Sequence, residues 1–247
     1  MAPTDITAES EYKQPVPGAT VGIGGCDMRA TFDLEASELL LGNGPVAGID
    51  EAGRGPWAGP VVAAAVVLDA DRIPAGIADS KALDADQRAI LYDKIMSSSH
   101  VGVGIADVGR VDRDNILNAT MWAMSDALRA LASTMTQPPR LALIDGNRAP
   151  RLSIQARTVV KGDAKCLSIA AASIIAKVTR DRIMIAMAND YPGYGFERHK
   201  GYGTSEHQAA IQRLGVCNEH RRSFKPVQLA LTFAAPVAAL QTVIPAS

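Results

Sequence analysis

Cysteine and aromatic side chains are scarce in this sequence. The three cysteines, Cys26, Cys166 and Cys217, are odd in number and show no Cys-x-x-Cys spacing. This usage indicates neither a disulfide framework nor a structural zinc site. The N-terminus also lacks a basic segment followed by an apolar stretch, which a secretory signal would need. We therefore expect a cytoplasmic protein in a reducing compartment.

Uninterrupted apolar segments long enough to span a membrane are missing as well. The last 21 residues, Val227 to Ser247, carry no charge, but Pro236 and Gln241 interrupt them and no basic cluster follows. A membrane anchor is the alternative interpretation of this segment, and we do not favour it. We expect a short helix that packs on the body of the protein, and then a frayed tail.

An overall excess of positive charge is also absent, because the formal net charge is −1. The charges are nevertheless unevenly distributed. Between Arg140 and Lys225 there are 15 lysines and arginines against 7 aspartates and glutamates. Such an asymmetry indicates one basic face for a polyanion.

The first 45 residues form a region of their own. Pro, Gly and Ser are frequent there, and seven acids face two bases. We expect residues 1–45 to be a largely disordered acidic extension. A short helix is predicted over residues 33–41, with Leu34, Leu39 and Leu40 as its apolar edge.

From residue 46 onward the pattern predicts strands that alternate with helices. Strands are predicted at 46–50, 61–68, 101–108 and 141–144, and helices at 84–96, 115–131, 166–187 and 205–214. This order indicates an α/β fold with a mixed sheet flanked by helices, antiparallel at its start and parallel afterwards. A C-terminal helical subdomain completes the main domain over residues 46–227, and residues 228–247 form an apolar, uncharged tail.

Four acidic residues stand where predicted strands and turns end. Asp50 and Glu51 close the first strand, Asp145 closes a later one, and Asp163 precedes the long helix. Ligands of sheet enzymes lie at strand ends, and gathered carboxylates are unfavourable without cations. Oxygen-only ligands select hard ions such as Mg²⁺ or Mn²⁺, and two such ions about 4 Å apart are the usual device for phosphodiester hydrolysis.

Each of these acids also has a purely structural interpretation. Asp163 is equally suited to capping the helix that follows it, and Asp145 in Asp-Gly-Asn is equally suited to a plain turn. Asp50 and Glu51, beside a Gly-Arg-Gly segment, are harder to explain in this way. The spacing therefore favours a metal site and leaves its reaction open.

Six segments resemble, in the same order, motifs of bacterial ribonuclease HII, of the type 2 ribonuclease H family. They are GIDEAGRGPWAGPVV (48–62), DSK (79–81), IDGN (144–147), KGD (161–163), AASIIAKVTRD (171–181) and HKGYGT (199–204). The resemblance spans roughly residues 46–227 and implies a ribonuclease H-like catalytic domain there. One departure is Trp57, which stands where smaller aliphatic residues are common.

Carried over by position, the resemblance implies roles for nine residues. The family's metal-binding and catalytic acids fall on Asp50, Glu51, Asp145 and Asp163. Its substrate-binding positions fall on Gly53, Arg54, Gly55, Lys81 and Tyr202. The Gly-Arg-Gly turn would approach the ribose closely and, together with Tyr202, sense the 2′-hydroxyl that distinguishes RNA from DNA.

The resemblance also implies the reaction and the partners. We expect hydrolysis of the RNA strand of RNA/DNA hybrids and cleavage 5′ to ribonucleotides embedded in duplex DNA, leaving 3′-hydroxyl and 5′-phosphate ends. Two divalent ions, Mg²⁺ or Mn²⁺, would serve each site. The family role is ribonucleotide excision repair. We expect a monomer, without membrane contact, whose tail is a candidate for contact with a replication clamp.

Several other charged and aromatic residues of the sequence have a structural as well as a functional interpretation. Lys177, Arg180, Lys200 and Arg221 are each either a phosphate contact or a solvated charge. Asp181 is expected to pair with a flanking arginine, Arg180 or Arg182, rather than to bind metal. His199 and His207 are not expected to be catalytic, and Tyr191, Tyr194 and Phe196 are expected to form a minor core.

Three alternatives remain besides a type 2 enzyme. A type 3 ribonuclease H carries a folded N-terminal substrate-binding domain, for which 45 loop-like residues are too few. A catalytically silent hybrid-binding protein is disfavoured because all four acids are present. An unrelated α/β protein would not carry six such motifs in order.

Overall fold

A computed structural model describes residues 30–78, 80–81 and 83–233, and within them the chain forms one sheet flanked by helices. The strands are β1 (Val46–Ala52), β2 (Val61–Leu68), β3 (Ser99–Ala106), β4 (Leu141–Asp145) and β5 (Gln155–Val159). The helices are α1 (Asp33–Leu40), α2 (Ala85–Ser98), α3 (Val108–Ser133), α4 (Leu167–Asp190), α5 (Phe196–His199), α6 (Ser205–Leu214) and α7 (Lys225–Phe233). A 3₁₀ turn at Gly162–Ala164 precedes α4.

The strand order across the sheet is β3-β2-β1-β4-β5. β2 pairs antiparallel with β1 and with β3, whereas β4 pairs parallel with β1 and with β5. The predicted α/β class, with a mixed sheet that is antiparallel first and parallel afterwards, is therefore confirmed. The parallel register of β1 and β4, which pairs Ile49 with Ile144, brings the carboxyl ends of these two strands to the same edge.

Both faces of the sheet are covered, which explains the continuous apolar run of β2. Odd-numbered residues from Val61 to Val67 pack against α3, and even-numbered residues from Ala64 to Leu68 pack against α2 and α4. Gly104 of β3 lets α3 approach closely, because a Cβ there would lie 2.1 Å from the Ala123 carbonyl oxygen. The alternation of side chains along a strand thus divides the core into two layers.

α3 and β5 differ from the sequence-based prediction, and α5 was not predicted. The helix predicted from residue 115 is preceded by a further helical segment from Val108, and the two join at Asn115, whose φ is 64°. The Asn115 side chain accepts hydrogen bonds from the Leu117 and Asn118 amides, which explains why a helix start was expected there. β5 was not predicted, because its residues lie mostly exposed at the sheet edge and show no apolar alternation.

The helix predicted over residues 33–41 is present as α1, but its predicted apolar edge is confirmed only for Leu34, which packs against the core, and is wrong for Leu39 and Leu40. Leu40 is 90% exposed, whereas Glu35 is 1% exposed. The reason is a hydrogen bond across the fold: Glu35 Oε1 accepts from the Ser168 amide, 2.7 Å away, at the first turn of α4. Residues 30–45 therefore pack on the main domain, and residues 1–29 of the predicted extension lie outside the described residues.

The C-terminal helical part forms beyond α4, as predicted. Tyr194 and Phe196 are buried in a small core, with Tyr191 packed at its edge, which confirms the expected minor core. α7 supplies the short helix expected after residue 227, and Val227 is fully buried. Residues 234–247 of the tail lie outside the described residues. None of the helices in the described ranges is both long and apolar enough to cross a membrane.

Candidate active site

Asp50 and Asp145 lie side by side at the carboxyl ends of β1 and β4. The parallel register places the residue after Ile49 beside the residue after Ile144. Asp50 is only 6% exposed, and its Oδ1 accepts the Glu51 amide at 2.7 Å. Glu51 follows on the same strand with a side chain that is 13% exposed. Three of the predicted acids therefore share one sheet edge.

Asp163 reaches the same edge from the 3₁₀ turn. The turn is tied to β4, because the Gly162 amide donates to Asp145 Oδ1 at 2.7 Å. Lys161 enters the turn with a left-handed φ of 56°, and Asp163 is 7% exposed. Asp163 has no helix-capping hydrogen bond within the described structure, where the N-cap of α4 is Cys166. The capping interpretation of Asp163 is therefore wrong.

The four acids, Asp50, Glu51, Asp145 and Asp163, are called the carboxylate cluster below, and they interact electrostatically. Burial raises the pKa of Asp50 well above its usual value, and the charges of Glu51, Asp145 and Asp163 raise it further. Burial also raises the pKa of Glu51, an effect that the nearby Arg54 partly offsets. Such shifts mark a concentration of negative charge that a cation would relieve.

The donor set of the carboxylate cluster fits a hard divalent cation, because it consists of carboxylate oxygens alone. The side chains do not yet converge on a common point: across the described ranges, no three His, Cys, Asp or Glu side chains stand in ligand geometry. Two of the four acids pair with neighbouring cations. Arg54 Nη1 lies 3.2 Å from Glu51 Oε1, and Lys81 Nζ lies 3.3 Å from Asp163 Oδ2.

Lys81 and Arg54 border the cluster on its open side. Their side chains are 81% and 51% exposed, respectively. A groove of about 440 Å³ runs beside Glu51 and Asp145 and continues past Arg54 to Arg148. Asp79, from the same segment as Lys81, lies outside the described residues. A groove with carboxylates at its floor and cations at its rim suits a metal-bound phosphate chain.

The Gly53–Gly55 turn follows the carboxylate cluster directly and lies against the loop of Tyr202. Gly53 has a φ of +96°, which favours glycine, and a Cβ there would lie 2.1 Å from Arg180 Nε. A Cβ on Gly55 would lie 3.6 Å from the Tyr202 ring. The Tyr202 side chain is 45% exposed. The structure therefore brings the Gly-Arg-Gly turn and Tyr202 together beside the acids.

Trp57 joins the same two loops. Its amide donates to the Gly201 carbonyl at 2.8 Å. The indole ring occupies the space beside Gly203, where a Cβ would lie 2.1 Å from it, and packs 5.6 Å from the His207 ring centroid. The larger side chain at position 57 is accommodated by glycine at position 203.

Two of the arginines predicted to be either phosphate contacts or solvated charges are buried, so both interpretations are wrong for them. Arg180 is 1% exposed and Arg221 is 0% exposed, and their guanidinium groups donate to backbone carbonyls instead. Asp181 forms a structural ion pair as expected, but with Lys177 at 2.9 Å rather than with a flanking arginine. Positions 177 and 181 are one helical turn apart, whereas adjacent residues point in different directions.

Three of the four histidines, His199, His207 and His220, form a buried group. His207 Nε2 lies 3.0 Å from His220 Nε2, and the His199 and His207 rings stack at 4.5 Å. His207 Nδ1 also lies 3.0 Å from the Tyr202 carbonyl oxygen. Burial lowers the pKa of His207 and of His220 to about 4. The imidazole rings of His207 and His220 are therefore neutral packing groups near neutral pH.

The sequence-based search missed the structural role of Arg180, although a signal for its burial was present. Ala172, Ala176, Arg180 and Met184 follow one another at every fourth position of α4, and all four are buried. An arginine inside such a stripe points inward. Neither Arg221 nor Glu35 carries a comparable signal, since both are buried through partners distant in sequence.

Comparisons with known proteins identify a matching family and several relatives of this chain. The family model described as Ribonuclease HII matches residues 47–227. A ribonuclease HII of Azorhizobium caulinodans is 54% identical over 198 residues, which are 80% of this chain and 75% of that protein. One of Rhizorhabdus wittichii is 55% identical over 197 residues, 80% of this chain and 94% of that protein. The solved structure of ribonuclease H2 from Pyrococcus horikoshii superposes with a TM-score of 0.61 at 27% identity, covering 76% of this chain and 97% of that one.

Proposed function

The chain belongs to the ribonuclease HII family, whose members are ribonuclease H hydrolases, and from this premise we propose its specific reaction. The protein hydrolyses the RNA strand of RNA/DNA hybrids and cuts 5′ to ribonucleotides embedded in duplex DNA. The products carry 3′-hydroxyl and 5′-phosphate ends. This reaction is the first step of ribonucleotide excision repair, and its substrate is the polyanion expected from the charge distribution.

One observation carries the proposal: Asp50, Glu51, Asp145 and Asp163 meet at one edge of the sheet, beside a turn able to approach a sugar. Their oxygens would hold two divalent ions, Mg²⁺ or Mn²⁺. When bound, such ions supply an activated water and charge stabilisation at the leaving 3′ oxygen. A buried carboxylate cluster without this task would only destabilise the fold.

The protein groups around the cluster have separate tasks in this proposal. The Gly162 amide fixes the orientation of the Asp145 carboxylate through its 2.7 Å hydrogen bond. Arg54 and Lys81, which contact Glu51 and Asp163, are placed to exchange these acids for the phosphates of an incoming strand. Holding the acids and the scissile phosphate in fixed positions supplies the orientation that in-line displacement needs.

Selection of a ribonucleotide is assigned to the Gly53–Gly55 turn and Tyr202. Gly55 is exposed, and its backbone lies beside the Tyr202 ring. Backbone groups of a glycine turn can reach a 2′-hydroxyl that a side chain would keep away. The Tyr202 ring would lie against the sugar that follows, which makes an RNA-to-DNA junction the preferred site. Contact of a replication clamp with the tail stays a prediction.

The experiment is digestion of a DNA duplex that contains one ribonucleotide, with Mg²⁺ or Mn²⁺, beside the same duplex with the 2′-deoxy sugar. We expect one cut 5′ to the ribonucleotide, with a 3′-hydroxyl end, and no cut in the deoxy control. Equal cutting of both duplexes would refute ribose sensing. No cutting of either would refute the nuclease.

A variant separates an enzyme from a protein that only binds hybrids. Asp145→Asn keeps an oxygen that can accept the Gly162 amide but removes one negative charge from the carboxylate cluster. We expect cleavage to be lost and duplex binding to be retained. Binding by the wild type without any metal-dependent cleavage would support the silent-binder alternative instead. The matched control is Asp181→Asn, since this acid pairs with Lys177 outside the cluster.

A further inference from the structure

Arg180 and Arg221 are among the largest fully buried side chains of the protein. Neither forms a salt bridge with a carboxylate in the part of the chain that the structure describes. Burial lowers the pKa of both guanidinium groups, and the pKa of Arg221, at about 9, is lowered further by the charge of Arg180. Burying two like charges together is unfavourable unless hydrogen bonds compensate each of them.

Backbone carbonyls of one short segment, residues 53–60, compensate the buried charge of Arg221. Its three nitrogen atoms make five hydrogen bonds, and all five acceptors lie within residues 53–60. The acceptors are the carbonyl oxygens of Gly53 at 2.6 Å, Arg54 at 3.1 Å, Pro56 at 2.8 Å, Gly59 at 2.9 Å and Pro60 at 3.1 Å. Residues 53–60, which include the Gly53–Gly55 turn, therefore surround one guanidinium group.

Arg180 connects that turn to the loop that carries Tyr202. Its Nε donates to the Pro60 carbonyl at 2.9 Å and its Nη2 to the Ala58 carbonyl at 3.1 Å. Its Nη1 donates to the Lys200 carbonyl at 3.0 Å, two residues before Tyr202. Because α4 holds Arg180 in the core, both loops are tied to the same rigid helix.

The guanidinium group is needed for this geometry. Its planar fork offers five N–H donors in fixed directions, whereas a lysine ammonium offers three donors from one atom. Gly53 also packs so closely on Arg180 that a Cβ would lie 2.1 Å from Nε. The glycine turn and the two arginines therefore form one fitted unit.

We propose that Arg180 and Arg221 are positioning residues that set the Gly53–Gly55 turn against Tyr202 before any nucleic acid binds. This inference rests on the proposed function, because it assigns ribose selectivity to that turn. The two arginines contact no substrate. They act through the carbonyls that they hold, which fixes the amide side of the turn toward the sugar and spares the cost of ordering it on binding.

Conservative variants test the proposal. In Arg221→Lys and Arg180→Lys we expect KM for the single-ribonucleotide duplex to rise about tenfold or more. The ratio of ribonucleotide-duplex to all-DNA-duplex affinity should fall by a similar factor. The affinity for Mn²⁺, measured by calorimetry, should stay within about twofold, because the carboxylate cluster is left intact. Arg222→Lys and Arg182→Lys, at exposed neighbouring positions, are the matched controls and should match the wild type.

Other outcomes would overturn the proposal. If the lysine variants fold and keep the wild-type KM and selectivity ratio, the two arginines do not position the turn. If activity falls only in proportion to the folded fraction, with KM and selectivity unchanged, their role is merely structural.

A measurement on the wild type tests one part of the proposal, the order of this segment before any nucleic acid binds, even if the variants do not fold. The Trp57 amide donates to Gly201, and the Gly59 amide donates to Glu219, in the absence of substrate. We expect both amides to exchange with deuterium at least about a hundredfold more slowly than in an unstructured peptide. Exchange at the unstructured rate until a duplex is added would overturn the proposal. A wild type that cuts no duplex would instead refute the proposed function, while the exchange rates would still report on the turn.

Discussion

Replacing Asp50 by asparagine removes one negative charge from the carboxylate cluster and leaves the shape of the side chain almost unchanged. An asparagine Oδ1 can still accept the Glu51 amide, as Asp50 does at 2.7 Å. Because burial and three neighbouring acids raise the pKa of Asp50, its ionised form destabilises the metal-free fold at neutral pH. We expect Asp50→Asn to abolish cleavage and to make the metal-free protein more stable.

The magnitude follows from Coulomb's law. Two like charges about 6 Å apart repel by about 3 kcal/mol at an effective dielectric constant of about 20. Part of this is offset by relaxation in the wild type, so a gain of about 2 kcal/mol in the free energy of unfolding is a reasonable expectation. For a chain of this size that corresponds to a rise in Tm of about 4–8 °C.

The assay is thermal unfolding followed by circular dichroism, in buffer with chelator and again with Mn²⁺. The wild type should gain stability on adding Mn²⁺, and Asp50→Asn should gain much less. Asp181→Asn, which breaks the ion pair with Lys177, is the control and should lower stability by about 0.3–0.5 kcal/mol. An unchanged or lower Tm for metal-free Asp50→Asn would refute the claim that these acids repel one another.

Two further predictions concern stability. Glu35→Ala leaves the buried Ser168 amide without its acceptor and should cost about 1–3 kcal/mol in urea unfolding, whereas Glu35→Gln keeps an acceptor and should cost less; equal losses would contradict this role. Because burial lowers the pKa of His207 and His220 to about 4, the unfolded chain binds protons first as the pH falls below about 6.5. Through these two groups alone the free energy of unfolding falls by up to about 1.4 kcal/mol per pH unit for each histidine, down to about pH 4, whereas the raised pKa values of Asp50 and Glu51 act in the opposite direction. Urea midpoints at pH 7.5 and pH 5 are therefore compared between the wild type and His220→Gln, which should lose less stability over this range; equal losses in the two proteins would contradict the prediction.

The sheet and its large helices could be predicted because burial on two faces leaves a direct mark on the sequence. β2 is a continuous apolar run, and α6 was predicted with the bounds that the structure shows. β5 leaves no such mark, because an exposed edge strand is held by backbone hydrogen bonds that any residue can make. The predicted apolar edge of α1 failed at Leu39 and Leu40 for a related reason: the burial of Glu35 on this helix is set by the Ser168 amide, not by hydropathy.

The motifs predicted the residues of the candidate site, but they did not predict the contacts that hold these residues in position. The parallel register that brings Asp50 beside Asp145 depends on the pairing of strands about 95 residues apart. Arg221 interacts with carbonyls more than 160 residues away, and backbone carbonyls carry no signature of side-chain type. The burial of a guanidinium group among them follows from the turn geometry of residues 53–60, which composition does not reveal.

The central claim is that Asp50, Glu51, Asp145 and Asp163 share divalent ions. It is tested most directly by anomalous X-ray diffraction from crystals grown with Mn²⁺ and a ribonucleotide-containing duplex. We predict two anomalous peaks about 4 Å apart, each in contact with oxygens of these four side chains. An anomalous map at saturating Mn²⁺ that shows no peak at the four carboxylates, or peaks only elsewhere on the protein, would contradict the account.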